Sequence, residues 1–199
     1  MPDEFSCALS GNEAPFTAGP LDAKICFVGE APGEEEARRG GAFIGQAGDE
    51  LTRLCANAGI NKAFCRLENV FQFHPPGNDL SPYIRFTGKN VFESQQYIEA
   101  RDALALRLAG TSANVIVPLG NISMWALAHL RSITKQRGSI VESTLMPGRK
   151  IIPTIHPSAA LRKHEDSREG EGNWLYRYFI AYDLRRIKKE SEYLRFGII

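Results

Sequence analysis

The sequence predicts an α/β fold: a three-layer αβα sandwich around a central, mainly parallel four-stranded sheet. Three observations carry this reading. Short apolar runs alternate with longer amphipathic stretches, the pattern of strands joined by crossover helices. The runs end in Gly29-Glu30, Phe73-His74, Gly120-Asn121 and His156-Pro157, so polar chemistry collects where strands stop. The chain has 199 residues, 43% hydrophobic and 24% charged, enough to bury one full core, so residues 1–199 are expected to form a single domain.

Taken in order, Ile25-Cys26-Phe27-Val28 reads as a compact buried strand that ends at Gly29. Residues 48–58 read as a helix with Leu51, Leu54 and Cys55 on one face and Gly59 as its stop. Residues 67–73 form a second strand, broken by Pro75-Pro76-Gly77-Asn78-Asp79. Residues 80–91 are expected to be irregular. A long helix follows over 93–108, then the Val-Ile-Val strand at 114–119 and a helix over 122–130. Residues 150–155 are the fourth core strand and run directly into His156. The polar, Gly-rich stretch 164–172 reads as a mobile loop. The last helix, 174–193, carries Trp174, Tyr178 and Tyr182 at i, i+4 and i+8, a stripe read as core packing in preference to a base-stacking platform. There is no internal repeat.

The net charge of +1 neither requires nor excludes a polyanionic partner. Acids crowd at Glu34-Glu35-Glu36, and bases gather at Arg162-Lys163 and at Arg185-Arg186 with Lys188-Lys189. Phosphate attraction is local, so one basic face suffices to hold DNA; the plainer reading of such runs is a solvated helix face. No apolar run approaches the roughly 20 residues of a membrane span, and the acidic start Met1-Pro2-Asp3-Glu4 lacks a signal-peptide pattern. A cytoplasmic location is therefore expected. The four cysteines, 7, 26, 55 and 65, include no CxxC pair. Cys26 and Cys55 read as small buried hydrophobes, and free thiols in a reducing compartment fit best.

In open parallel sheets ligands bind beyond the carboxyl ends of the strands, so the polar strand ends here should share one crevice. The first element is Gly29-Glu30-Ala31-Pro32-Gly33-Glu34-Glu35-Glu36, closing with Gly40-Gly41-Ala42-Phe43-Ile44-Gly45. Its glycines admit close backbone approach to a flat ligand. A phosphate loop fails here, because GxxxxGK[ST] is absent and three glutamates would repel phosphate. The second element is His156-Pro157-Ser158, followed by Ala159-Ala160-Leu161-Arg162-Lys163. A hydrolase triad is not indicated, since there is no GxSxG elbow. The third is Glu68-Asn69-Val70-Phe71, leading to His74-Pro75-Pro76-Gly77-Asn78. Asn69 offers one donor and one acceptor, which suits the amide edge of a pyrimidine; the plainer reading is a backbone-bonded Asn in an edge strand.

Together these stretches resemble the uracil-DNA glycosylase superfamily, and within it they are most similar to the family 4 enzymes. The similarity rests on GEAPGEEE with GAFIGQAG, NV with HPPGN, VIVPLG and IHPSAALR, in family order across residues 24–163. The resemblance implies a monofunctional DNA glycosylase that flips out a nucleotide and hydrolyses its N-glycosidic bond. It assigns His156 to the base's O2 carbonyl and Glu36 to a water and the oxocarbenium-like sugar. Phe43 would stack on the base and Asn69 read its edge, with Glu30, Ala31 and Asn78 shaping the pocket. Ser158, Leu161, Arg162 and Lys163 would engage DNA. DNA is the expected partner of a monomeric protein. No lysine stands at a motif position, so a Schiff-base mechanism is not implied.

Two departures from the family pattern stand out. Family 4 enzymes usually carry a four-cysteine iron–sulfur cluster that begins at an N-terminal CxxC. Here that region reads Cys7-Ala8-Leu9-Ser10, and Phe73 stands where the family has the cysteine before its Arg-Pro-Pro. No iron–sulfur cluster, and no metal, is expected. Ala42 replaces the usual Pro before Phe43, which opens the question of pocket size. Uracil is the default base. A bulky modified pyrimidine of phage DNA, removed in antiviral defence, is one alternative, and an inactive member that binds DNA or a replication protein is another.

Overall fold

The computed structural model describes residues 15–162 and 173–193. Five strands form one sheet in the order β2-β1-β5-β7-β6. β1 is Ile25–Gly29, β2 Arg66–Asn69, β5 Val115–Pro118, β6 Val141–Glu142 and β7 Lys150–Ile151. β1 runs parallel to both β2 and β5, and β5 runs parallel to β7, while β6 closes the edge antiparallel. The sheet is thus mainly parallel, with five strands where the sequence suggested four. The two-residue β6 is too short to show any period.

Alternation along β1 builds the layers. Ile25 and Phe27 join one buried cluster with Leu51, Leu54, Ile180, Leu184 and Ile187. Cys26 and Val28 join another with Tyr97, Leu104, Leu108, Ala126 and Leu127. Successive strand side chains point to opposite faces, so each face of β1 needs its own helical cover. On one side lie α2 (Gln46–Asn57) and α7 (Trp174–Ser191); on the other, α3 (Gln95–Ala109) and α4 (Asn121–Ala128). Shorter helices are α1 (Glu34–Arg39), α5 (Ile133–Gln136) and α6 (Pro157–Leu161). The three-layer αβα sandwich is as expected.

Residues 80–91 are not irregular. β3 (Ile84–Thr87) and β4 (Asn90–Glu93) pair antiparallel, with Thr87 opposite Asn90 across a Gly88-Lys89 turn. Gly88, at φ 53°, supplies the positive φ that such a two-residue turn needs. Trp125 Nε1 donates to Glu93 Oε1 at 2.6 Å, which fastens the hairpin to α4.

The aromatic stripe of α7 is not core packing. Trp174, Tyr178 and Tyr182 are 60%, 58% and 58% exposed, while Ile180, Leu184 and Ile187 supply the buried face. The long helix hides its branched aliphatic residues, whose burial satisfies the sheet without the aromatics. The expected loop at 164–172, with Lys163, lies outside the described residues. Among the described residues no helix is long and apolar enough to cross a membrane.

Candidate active site

The carboxyl ends of β1, β2, β5 and β7 lie side by side: Gly29 is in register with Asn69, Val28 with Pro118, and Leu119 bridges Thr154. His156 follows Thr154 by two residues. The residues expected to act together are therefore brought to one edge by the parallel pairing itself.

Gly29 is where Phe43 and Asn69 meet. A Cβ on Gly29 would stand 2.5 Å from Asn69 Oδ1 and 2.6 Å from Phe43 Cζ, closer than real atoms allow. Only a bare Cα lets both side chains occupy this corner. Asn69 is 3% exposed, its backbone carbonyl held by Arg107 Nη2 at 2.7 Å and Gln72 Nε2 at 3.1 Å. Arg107 also grips buried Glu68, whose other oxygen takes Arg66. Glu68 is fully buried, so this triad is one in which each charge needs its partner.

Phe43 is buried and sits at φ 54°, a conformation costly for a residue with a Cβ. Two clamps hold it. Glu36 Oε1 accepts from the amides of Ile44 and Gly45, both at 2.9 Å. Lys62 Nζ donates to the carbonyls of Phe43 and Gly48, both at 3.0 Å. The brace from Lys62 has no motif in the sequence, because it comes from a residue 19 positions away. Gly33 leaves room for Glu36, since a Cβ there would stand 2.8 Å from Glu36 Oε2.

The second corner is Gly120. At φ 95° it is a position that L side chains rarely adopt, and a Cβ would collide with Glu30 Oε1 and stand 3.4 Å from His156 Cβ. Glu30 Oε1 accepts from the amide of Ile122 at 3.2 Å, at the start of α4. Burial pushes the Glu30 carboxyl up to about 6, against the lowering effects of that amide and of Arg162. Ala31 lies beside it, half-buried against the second cluster.

His156 Nδ1 faces the backbone N–H of Ser158 at 3.2 Å and its hydroxyl at 2.8 Å. A backbone N–H only donates, so Nδ1 is the acceptor and the ring proton of the neutral form sits on Nε2. Burial, helped by the charge of Arg162 and opposed by that of Glu36, lowers the imidazole to about 4. His156 is thus a neutral ring at physiological pH, with Nε2–H as its remaining donor, unpaired among the described residues. Ser158 fixes the tautomer through its backbone N–H. The charges of Glu36 and Arg162 both reach His156, and Arg162 also reaches Glu30, so these groups form one electrostatic neighbourhood.

Leu161 and exposed Arg162 end α6 at the rim. Asn78 is exposed, at φ 58°, in a short 3-10 turn. Its segment reaches the crevice through His74, whose Nδ1 donates to the carbonyl of Pro32 at 3.0 Å. His74 is a positioning residue to which the sequence reading gave no role, although it opens the quoted His-Pro-Pro-Gly-Asn motif.

The described cysteines do not fit an iron–sulfur cluster. Cys26, Cys55 and Cys65 are buried free thiols, and no three potential ligand side chains gather among the described residues. Burial pushes Cys55 up to about 12 and Cys65 to about 11, so both sit in the packed core as protonated thiols. Phe73 instead packs edge-on against Phe71 and Tyr83, with ring centroids 5.3 and 5.2 Å away.

A parallel sheet that presents an Asn, a buried Phe, carboxylates and a neutral His at one edge defines the class: the chain belongs to the Uracil DNA glycosylase superfamily, whose profile matches residues 16–181. Among its relatives is the type-4 uracil-DNA glycosylase of Thermotoga maritima, 34% identical over 165 residues that cover 81% of this chain and 79% of that protein. The type-4 uracil-DNA glycosylase of Archaeoglobus fulgidus is 30% identical, covering 78% and 76%. A DNA polymerase of Bacillus phage SP01 is also 30% identical, over 74% of this chain but 15% of its own length.

Proposed function

We propose that the chain is a monofunctional DNA glycosylase that takes a flipped pyrimidine, uracil by default, and hydrolyses its N-glycosidic bond. The observation that carries this is the state of His156: neutral, with Nδ1 capped by Ser158 and Nε2–H its remaining donor, next to Glu30 and Gly120 at the carboxyl edge of the sheet. A neutral imidazole donor suits an oxygen that gains negative charge as the base departs, because it stabilises the anion without having to give up its proton.

In this reading Asn69 reads the pyrimidine's amide edge and Phe43 supplies the aromatic floor. Glu36 spends Oε1 on the loop and keeps Oε2 for a water and the cation-like sugar. Glu30 adds a second carboxylate beside His156 and Gly120. Leu161, Arg162 and Lys163 engage the DNA around the flipped nucleotide. The protein acts as a monomer and without an iron–sulfur cluster. Both are checked on purified protein, by sedimentation and by iron content; stoichiometric iron with a visible charge-transfer band overturns the second.

The deciding experiment incubates the protein with single- and double-stranded oligonucleotides that contain uracil, hypoxanthine, hydroxymethylcytosine or glucosylated hydroxymethylcytosine, followed by alkaline cleavage. Uracil-dependent breaks are expected. Breaks only at the bulky cytosines would move the role from repair to defence, and no breaks on any substrate would remove the enzymatic reading.

A further inference from the structure

We infer that the outward face of α7 is a second DNA contact, on which a single strand running out of the active site stacks its bases. The inference rests on the reading that the substrate is DNA. At about 100° per residue, Trp174, Tyr178, Tyr182, Arg185 and Lys189 fall within roughly 80° of helix circumference, opposite buried Ile180, Leu184 and Ile187. Three large rings exposed in a row, on a face that covers none of the described residues, are the kind of patch that marks an interaction surface. They lead directly into two exposed cations, which make no ion pair among the described residues.

The charge of the helix suits a polyanion. Over α7 the sequence holds Arg177, Arg185, Arg186, Lys188 and Lys189 against Asp183 and Glu190. Asp183 is buried and paired with Arg137 at 2.7 Å, and Glu190 is paired with Lys150 at 3.2 Å. Glu192, the exposed carboxylate just past the helix, is paired with Lys24 at 2.7 Å, so each carboxylate at this helix has its own cation. Rings that offer flat π-faces, interleaved with cations, are what sequence-tolerant single-strand binding requires.

Position supplies the continuity. The amide of Asn173, the cap of α7, donates to the carbonyl of Ala160 in α6 at 2.9 Å. Trp174 thus begins where the His156–Arg162 segment ends, and the stripe extends away from it for about 12 Å, at 1.5 Å per residue. A strand leaving the crevice past Arg162 meets Trp174 first.

The test measures fluorescence anisotropy with uracil-free single strands of about 6 and about 30 nucleotides, lengths below and above a typical stacking site. The triple variant Trp174→Ala/Tyr178→Ala/Tyr182→Ala should bind the long strand about tenfold or more weakly and the short strand as wild type does. Tyr178→Phe/Tyr182→Phe keeps the rings and should keep the affinity. Arg185→Glu/Lys189→Glu should lower the salt slope by roughly 0.7 for each charge removed; it decides the matter should the triple variant not fold. Unchanged long-strand affinity in the folded variants overturns the inference. So does a wild-type dimer that the triple variant splits, since the stripe is then a contact between two copies. If α7 governs strand binding while no base is ever released, the proposed activity fails and this surface stands.

Discussion

Arg107 Nη2 donates to the backbone carbonyl of Asn69 at 2.7 Å while Nε holds Glu68 Oε2 at 2.9 Å. One guanidinium on α3 thereby fixes both the end of β2 and Asn69, the residue proposed to read the base. Arg107→Ala should cost about 3–5 kcal/mol in a thermal or urea melt, because it strips a partner from a fully buried carboxylate. Arg107→Lys keeps the charge but not the fork. It should fold, yet lose discrimination between uracil and cytosine in single-turnover assays. Unaltered discrimination would show that Asn69 does not depend on this brace.

His156→Ala should reduce turnover by roughly two or more orders of magnitude and leave DNA affinity near wild type. The same residue marks stability. Its imidazole titrates near 4 when folded against 6.5 when free, so the unfolded chain takes the proton first. Stability from this group is complete above about 6.5 and is lost as the pH falls toward 4. His156→Gln should flatten the stability profile across that window.

The two carboxylates are tested separately. Glu30 is charged only above about 6, so a rate that needs its negative charge should fall as the pH drops through that value. Glu30→Gln should abolish that inflection. Glu36→Ala should lower turnover by about two orders of magnitude and also loosen the Phe43 loop, because the amides of Ile44 and Gly45 lose their acceptor. Full activity in Glu36→Ala would transfer the catalytic role to Glu30.

Gly29→Ala forces a methyl between Asn69 and Phe43. Activity should be lost to a far greater degree than the roughly 1–3 kcal/mol of overpacking cost would explain. A crystal structure or base-analogue binding would show the corner displaced. Wild-type turnover would mean that the two side chains do not act together.

Three strand ends were legible in the sequence because apolar runs stop at Gly29, Gly120 and His156, and parallel pairing leaves those stops adjacent; the second run reads on to Phe73, whereas β2 ends at Asn69. The Gly88-Lys89 hairpin was also within reach, as Gly at a two-residue turn is a local signal. The exposure of Trp174, Tyr178 and Tyr182 was not, since helical spacing gives a face but not what lies opposite it. Lys62 and Arg107 were out of reach for a related reason: each acts on a backbone carbonyl distant in sequence, and a carbonyl leaves no mark in the choice of residue.

By itself, then, the sequence determined which residues lie at the carboxyl edge, because the two-residue period of strands and the glycine stops are local properties. The tertiary structure alone decided their chemical state. Burial made His156 neutral and raised Glu30, the Ser158 amide placed the ring proton on Nε2, and the packing of α7 turned its aromatic rings outward. Desolvation and long-range hydrogen bonds depend on neighbours in space, and those exist only after the chain has folded.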